Sequence, residues 1–119
     1  MGDRAMAEIV TEGGSLYVYT HWGGHNLPQR AKEAVLFAKP RWDDPPYATR
    51  IIVDQLTRQG RDETTGYGLL LTPDAEDEYN EGNPSVIIDL IEQVLIIKEI
   101  TNEGNPKIKV TPFENFQED

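Results

Sequence analysis

The apolar positions of this chain recur with two different periods, and the period of each segment predicts its conformation. In "LYVYT", Leu16, Val18 and Thr20 alternate with Tyr17 and Tyr19, so Leu16–Thr20 reads as a strand with both faces partly covered. Ala7–Glu12 precedes it across Gly13-Gly14-Ser15, and the two segments read as a hairpin. From Leu27 the period lengthens. Leu27, Ala31, Ala34, Val35 and Ala38 make one stripe of a helix over Leu27–Lys39, closed by Pro40. Asn26 stands at its N-cap, Gln29 at the capping-box return position, and Pro28 is tolerated in a first turn. A second helix starts at Pro45 behind the carboxylate cap of Asp44. It runs to about Gln59 on the stripe Ala48, Ile51, Ile52 and Leu56. Arg50, Asp54 and Arg58 stand four apart on its other side, the spacing of surface ion pairs.

Beyond the polar loop "GRDETTG", Tyr67–Thr72 reads as a strand. The stretch "SVIIDLIEQVLIIKEI" admits a helical period, but its density of isoleucine and valine favours two strands folded near Glu92-Gln93. Lys107–Val110 alternates cleanly as a last strand. The pentapeptide "NEGNP" occurs at Asn80–Pro84 and Asn102–Pro106 with no recurring apolar unit around it, so both copies read as turns entering strands. The pattern predicts a single α+β domain over 1–119, an antiparallel sheet with two helices packed on one face, in the order β-β-α-α-β-β-β-β. Residues 1–6 and 117–119 are expected to be mobile. Exposed edge strands and an apolar C-terminal half predict self-association, as a two-fold homodimer.

Charge narrows the choice of partner. The chain has 119 residues, with 21 acidic side chains against 11 lysines and arginines, for a net charge of -10. A surface of that sign disfavours extended nucleic acid. The acidic residues crowd into Asp74–Glu81 and Glu114–Asp119, however. Arg41, Arg50, Arg58 and Arg61 lie in the middle, where a small anion would find a local basic patch. The chain has no cysteine, which excludes disulfides, thiolate metal sites and cysteine nucleophiles. Neither a signal-peptide core nor a stretch of membrane-spanning length occurs, so a cytoplasmic protein is expected.

Candidate chemistry gathers in "YTHWGGHNLPQ", Tyr19–Gln29, which holds both histidines. His21 and His25 make a poor metal site, since zinc wants three or four ligands and no H-E-x-x-H helix is present. The loop "DEYNEGNPSVII" fails as a calcium loop, because Ile88 falls where the closing glutamate belongs. Ser15 and Ser85 lie outside any G-x-S-x-G elbow, and the P-loop spacing is absent. What fits better is an anion cradle. A strand end, then Gly23-Gly24, then a helix N-terminus offers backbone N–H groups to phosphate or carboxylate, and glycine lets a ligand come close. Arg41, Trp42, Tyr47, Arg50 and Tyr67 add guanidinium groups and aromatic faces suited to a planar anion such as a nucleotide.

With "HWGG", "RWDDPPY-A-RI" and "TGYG", the chain resembles a group of small uncharacterised bacterial and phage proteins with the same order of motifs, over roughly Leu16 to Thr72. That resemblance implies a compact α+β fold and a phage or prophage accessory role. The group has no established activity, so no catalytic residues carry over. The acidic insert Asp74–Glu81 and the stretch Asn102–Asp119 depart from its pattern.

The leading expectation is a non-enzymatic binding protein without a resident cofactor, sequestering a small anionic, nucleotide-like ligand. The site would be His21, Trp22, Gly23, Gly24, His25, Asn26, Arg41, Trp42, Tyr47, Arg50 and Tyr67. An acidic interaction module for a basic protein partner, of inhibitor or immunity type, is the alternative. A small hydrolase using His21 or His25 is the third reading.

Overall fold

The computed structural model describes residues 3–60, 62–71, 83–100 and 104–116. The acidic loop Asp74–Glu81, parts of both "NEGNP" copies, Arg61 and the tail 117–119 lie outside them.

Six strands and two helices follow one another as the hydrophobic pattern predicts. They are β1 (Ala5–Thr11), β2 (Gly14–Thr20), α1 (Leu27–Phe37), α2 (Pro45–Thr57), β3 (Tyr67–Leu70), β4 (Ser85–Asp89), β5 (Val94–Ile100) and β6 (Pro106–Pro112). The first hairpin is tighter than its glycines suggest. Thr11 pairs with Gly14, which leaves a two-residue loop, Glu12-Gly13. The isoleucine-rich stretch is two strands, with Ile88 opposite Leu95 and Asp89 opposite Val94. The Asp89 carboxylate fixes the turn between them by accepting the N–H groups of Ile91 and Glu92. Gln93 closes that turn at φ 56°. Its amide reaches the Trp42 carbonyl and the Asp43 carboxylate, at 3.2 and 2.8 Å.

Both helices end two residues earlier than expected, at Phe37 and Thr57. Each gives way to a short 3-10 turn, Lys39–Arg41 after α1 and Arg58–Gly60 after α2. The expected side-chain caps are not made. Asp44 precedes two prolines, so the first two helical positions offer no N–H, and the bond that forms runs from the Ala48 N–H to the Asp44 carbonyl. Asn26 lies in a 3-10 turn, Gly24–Asn26, and Gln29 bonds forward to Glu33 instead of back to the cap.

The sheet is mixed where an antiparallel one was expected. Its strand order is β3-β2-β1-β4-β5-β6, and β1 pairs with β4 in parallel, Ala7 beside Val86 and Ile9 beside Ile88. Alternation along a strand marks which residues face a core but carries nothing about which neighbour it will take. Ala5, Ala7 and Ile9 of β1 join Val18, Val86, Ile88 and Leu95 in one core cluster. Ala31 and Val35 of α1, Ala48 and Ile52 of α2, and Phe113 complete it. The alanines matter here, since small side chains on α1, α2 and β1 let helix and sheet approach closely. The N-terminal end of this layout brings together the start of α1, the end of α2 and the start of β3.

Candidate functional site

A cleft of about 490 Å³ opens where those three elements meet. Its size lies within the range that small ligands occupy, roughly 300–1,000 Å³. The turn after β2 contributes Trp22, Gly23, His25 and Asn26, and β3 contributes Tyr67. Five of the residues singled out in the sequence thus share one wall. On the opposite walls Arg58 belongs to the basic patch read from the sequence, while Arg30, Glu33 and Ala34 of α1 and Gln55 and Gln59 at the end of α2 were not anticipated. Their signal is present in the helical spacing. Asn26, Arg30 and Glu33 follow at intervals of four and three, and Arg58 and Gln59 stand three and four positions after Gln55, spacings that put each set on one helical face.

Trp22 is the most conspicuous side chain of the cleft. It is 60 % exposed, while its carbonyl is fixed by the buried Thr20 hydroxyl at 2.7 Å. The His21 ring meets it edge-on at 4.5 Å, and His21 Nδ1 shares a 2.8 Å hydrogen bond with the Tyr19 hydroxyl. His21 therefore supports Trp22 from behind and is not itself part of the wall. Arg30 ties the cleft together. Its guanidinium donates to the Leu56 carbonyl and the Tyr67 hydroxyl and lies 5.7 Å from the Tyr67 ring centre. Arg58 pairs with Asp54 one turn earlier at 2.8 Å and is more than half exposed. Such an exposed pair is worth only about 0.3–0.5 kcal/mol, so a ligand anion could take the guanidinium over at little cost.

The backbone N–H groups that an anion cradle at "HWGGH" would use are taken up by the chain itself. The Gly24 N–H donates to the Asp3 carbonyl at 2.7 Å, the His25 N–H to the Asp3 carboxylate at 3.1 Å, and the Asn26 N–H to the Gly23 carbonyl at 3.0 Å. His25 Nδ1 bonds the same carboxylate oxygen, and Asn83 Nδ2 donates to the other at 2.7 Å. These hydrogen bonds to His25 and Asn83 hold the Asp3 carboxyl down, from 3.8 to about 2. Gly24 is accordingly a glycine for the chain, not for a ligand. A Cβ there would meet the Asp3 carbonyl oxygen at 2.5 Å, Asn83 Nδ2 at 2.7 Å and the Arg4 carbonyl carbon at 2.8 Å. Gly23 has φ 73°, the left-handed conformation that starts the turn.

Four expected ligand contacts lie elsewhere. Trp42 packs on Phe113 with ring centres 5.1 Å apart, and its Nε1–H donates to the Val35 carbonyl at 2.8 Å. It belongs to the rim of the core. Arg41 sits 5.2 Å from the ring centre of Tyr47, an exposed pair at the start of α2. Arg50 is exposed on α2 and is absent from the walls of the cleft.

A second cavity of about 470 Å³ lies between the β1–β2 loop and the first turn of α2, lined by Leu16, Pro45, Pro46 and Thr49 among others. Its helix N-terminus is deprived of N–H donors by the two prolines, and it holds no cationic side chain. It is the poorer place for an anion. Among the described residues, no cluster of three or more histidine, aspartate or glutamate side chains could hold a metal ion. No helix among them is long and apolar enough to cross a membrane. Comparison of the chain with protein-family models, with curated proteins and with solved structures yields no match.

Proposed function

We propose that this is a binding protein for a small, planar, anionic ligand of nucleotide type, held in the cleft between α1, α2 and β3. The observation that carries this reading is the exposed Trp22 on one wall, facing a cleft whose other walls supply Arg30 and Arg58. An indole left in water costs apolar hydration, and an aromatic ligand stacked on it recovers that cost, by about 1–3 kcal/mol per base. Asn26, Gln55, Gln59 and Glu33 offer donors and acceptors for the edge of a heterocycle. The anionic group belongs at the Arg58 end, because the backbone donors of the turn are already committed to Asp3 and Gly23.

Calorimetry against a panel of mono- and dinucleotides tests this. The expected result is binding by at least one member, weakened tenfold or more in Trp22→Ala and in Arg58→Ala, with little change in melting temperature because both side chains are more than half exposed. Arg50→Ala and Trp42→Phe should leave affinity unchanged. Failure of every nucleotide to bind, or equal affinity in Trp22→Ala, would discard the proposal.

A further inference from the structure

Asp3, His25 and Asn83 come from three separate parts of the chain and form one hydrogen-bonded set, of which His25 lines the cleft. Each carboxylate oxygen of Asp3 is engaged, one by the His25 N–H and Nδ1, the other by Asn83 Nδ2. Asn83 also donates to the Arg4 carbonyl at 2.7 Å, which anchors its amide on the segment that leads from Asp3 into β1. The carboxylate is thereby fixed in position and in charge. A carboxylate accepts hydrogen bonds and gives none, so the ring nitrogen against it must carry the proton. In a neutral imidazole the other nitrogen then bears the lone pair. His25 lines the cleft, its side chain is 77 % exposed, and its Nε2 has no hydrogen bond among the described residues.

We propose that Asp3, steadied by Asn83, is a positioning residue that holds His25 in the Nδ1–H tautomer, so that Nε2 serves the cleft as an acceptor for an O–H or N–H group of the ligand. This rests on the cleft being the binding site and adds a requirement to it: the ligand carries a hydrogen-bond donor as well as an anionic group. A nucleotide's sugar hydroxyls or exocyclic amine meet that requirement, whereas a simple aromatic sulfonate has no such donor. The arrangement is the one by which carboxylates orient ligating and catalytic histidines in other settings, here without a metal. A purely structural tie between Asp3 and the turn would need only the backbone N–H of His25. The engagement of the ring as well is what the tie alone leaves unexplained.

Long-range proton–nitrogen correlation spectra of the full chain, recorded at a pH high enough that the two ring nitrogens are not both protonated, read the tautomer without any ligand. His25 is expected to show a protonated Nδ1 and a bare Nε2, and Asp3→Ala to release the ring toward the Nε2–H form. Asp3→Glu, which keeps the carboxylate, should restore part of the Nδ1–H population if Asp3→Ala proves poorly folded. An Nε2–H ring in the unaltered protein overturns the proposal, as does a tautomer insensitive to Asp3. Adenosine monophosphate is then the probe for the acceptor role. Its binding should shift the Nε2 resonance while leaving that nitrogen unprotonated, and binding that leaves Nε2 unmoved removes His25 from recognition. If no nucleotide binds, the acceptor role falls with the binding reading, while the position of the proton is decided separately by the ligand-free spectrum.

Discussion

At the scale of single residues, the turn after β2 is built from side chains whose roles differ from what their types advertise. Gly24 has the look of a residue that admits a ligand, but the space beside it is filled by the backbone at Asp3 and Arg4 and by the Asn83 amide. Backbone atoms cannot step aside as the end of a flexible side chain can. Gly24→Ala should therefore cost about 2 kcal/mol or more, the range of overpacked interiors. Urea denaturation checks this, and a loss below about half a kcal/mol would mean that the N-terminal strand shifts freely. Trp42 teaches the converse. Its neighbours Arg41, Asp43 and Asp44 give it the appearance of a polar linker residue, and nothing in the local pattern announces burial. Its partners, the Val35 carbonyl and Phe113, come from one helix away and from the far end of the chain. Trp22 and Tyr67 were legible as candidates, and they line the cleft, because each adjoins glycine at a strand end, whereas Asp3 was not, since it is 22 positions from His25 and 80 from Asn83.

At the scale of elements, periodicity located the two helices and most strands of the described residues, β-branched density decided β4 and β5, and the differences lie at the element ends. Each helix passes into a 3-10 turn, after Phe37 and after Thr57, and an apolar stripe does not mark that change; in α1 it runs on to Ala38. The link between the N-terminal segment, the turn and α1 combines backbone hydrogen bonds with one carboxylate, and the carboxylate's share responds to pH. Asp3 is held near 2 in the folded chain, below its ordinary 3.8. A depressed carboxyl stabilises the fold above its unfolded value and ceases to do so as pH falls through the folded one. The difference in melting temperature between the unaltered protein and Asp3→Asn should therefore be complete at about pH 5, shrink below about pH 4 and vanish near pH 2. A difference that persists undiminished at pH 2 would show that the amide disrupts the turn for some reason other than charge.

At the scale of the whole molecule, the strand order was the part the sequence left open, because pairing across a sheet depends on where a returning chain docks. Self-association through open edges was expected, yet β6 is guarded. It forms one edge of the sheet, begins and ends with proline, and carries Lys107 and Lys109 on alternate positions opposite Glu99 and Ile97. Two such edges brought together would set lysines against lysines. Replacing both lysines with threonine should produce larger species in sedimentation velocity as concentration rises. A double variant that sediments as the unaltered protein does at every concentration would strip the lysines of that guarding role.

The parallel contact between β1 and β4 has a further consequence, in time instead of space. Ala7 and Val86 are neighbours 79 positions apart, so β1 can form its hairpin with β2 as soon as both leave the ribosome but must wait for its other partner. Until residues 85–89 emerge, the future centre of the sheet is a bare edge rich in alanine, isoleucine and valine. Closing so long a loop is slow compared with forming a hairpin, which makes the arrival of β4 the step on which productive folding and aggregation compete.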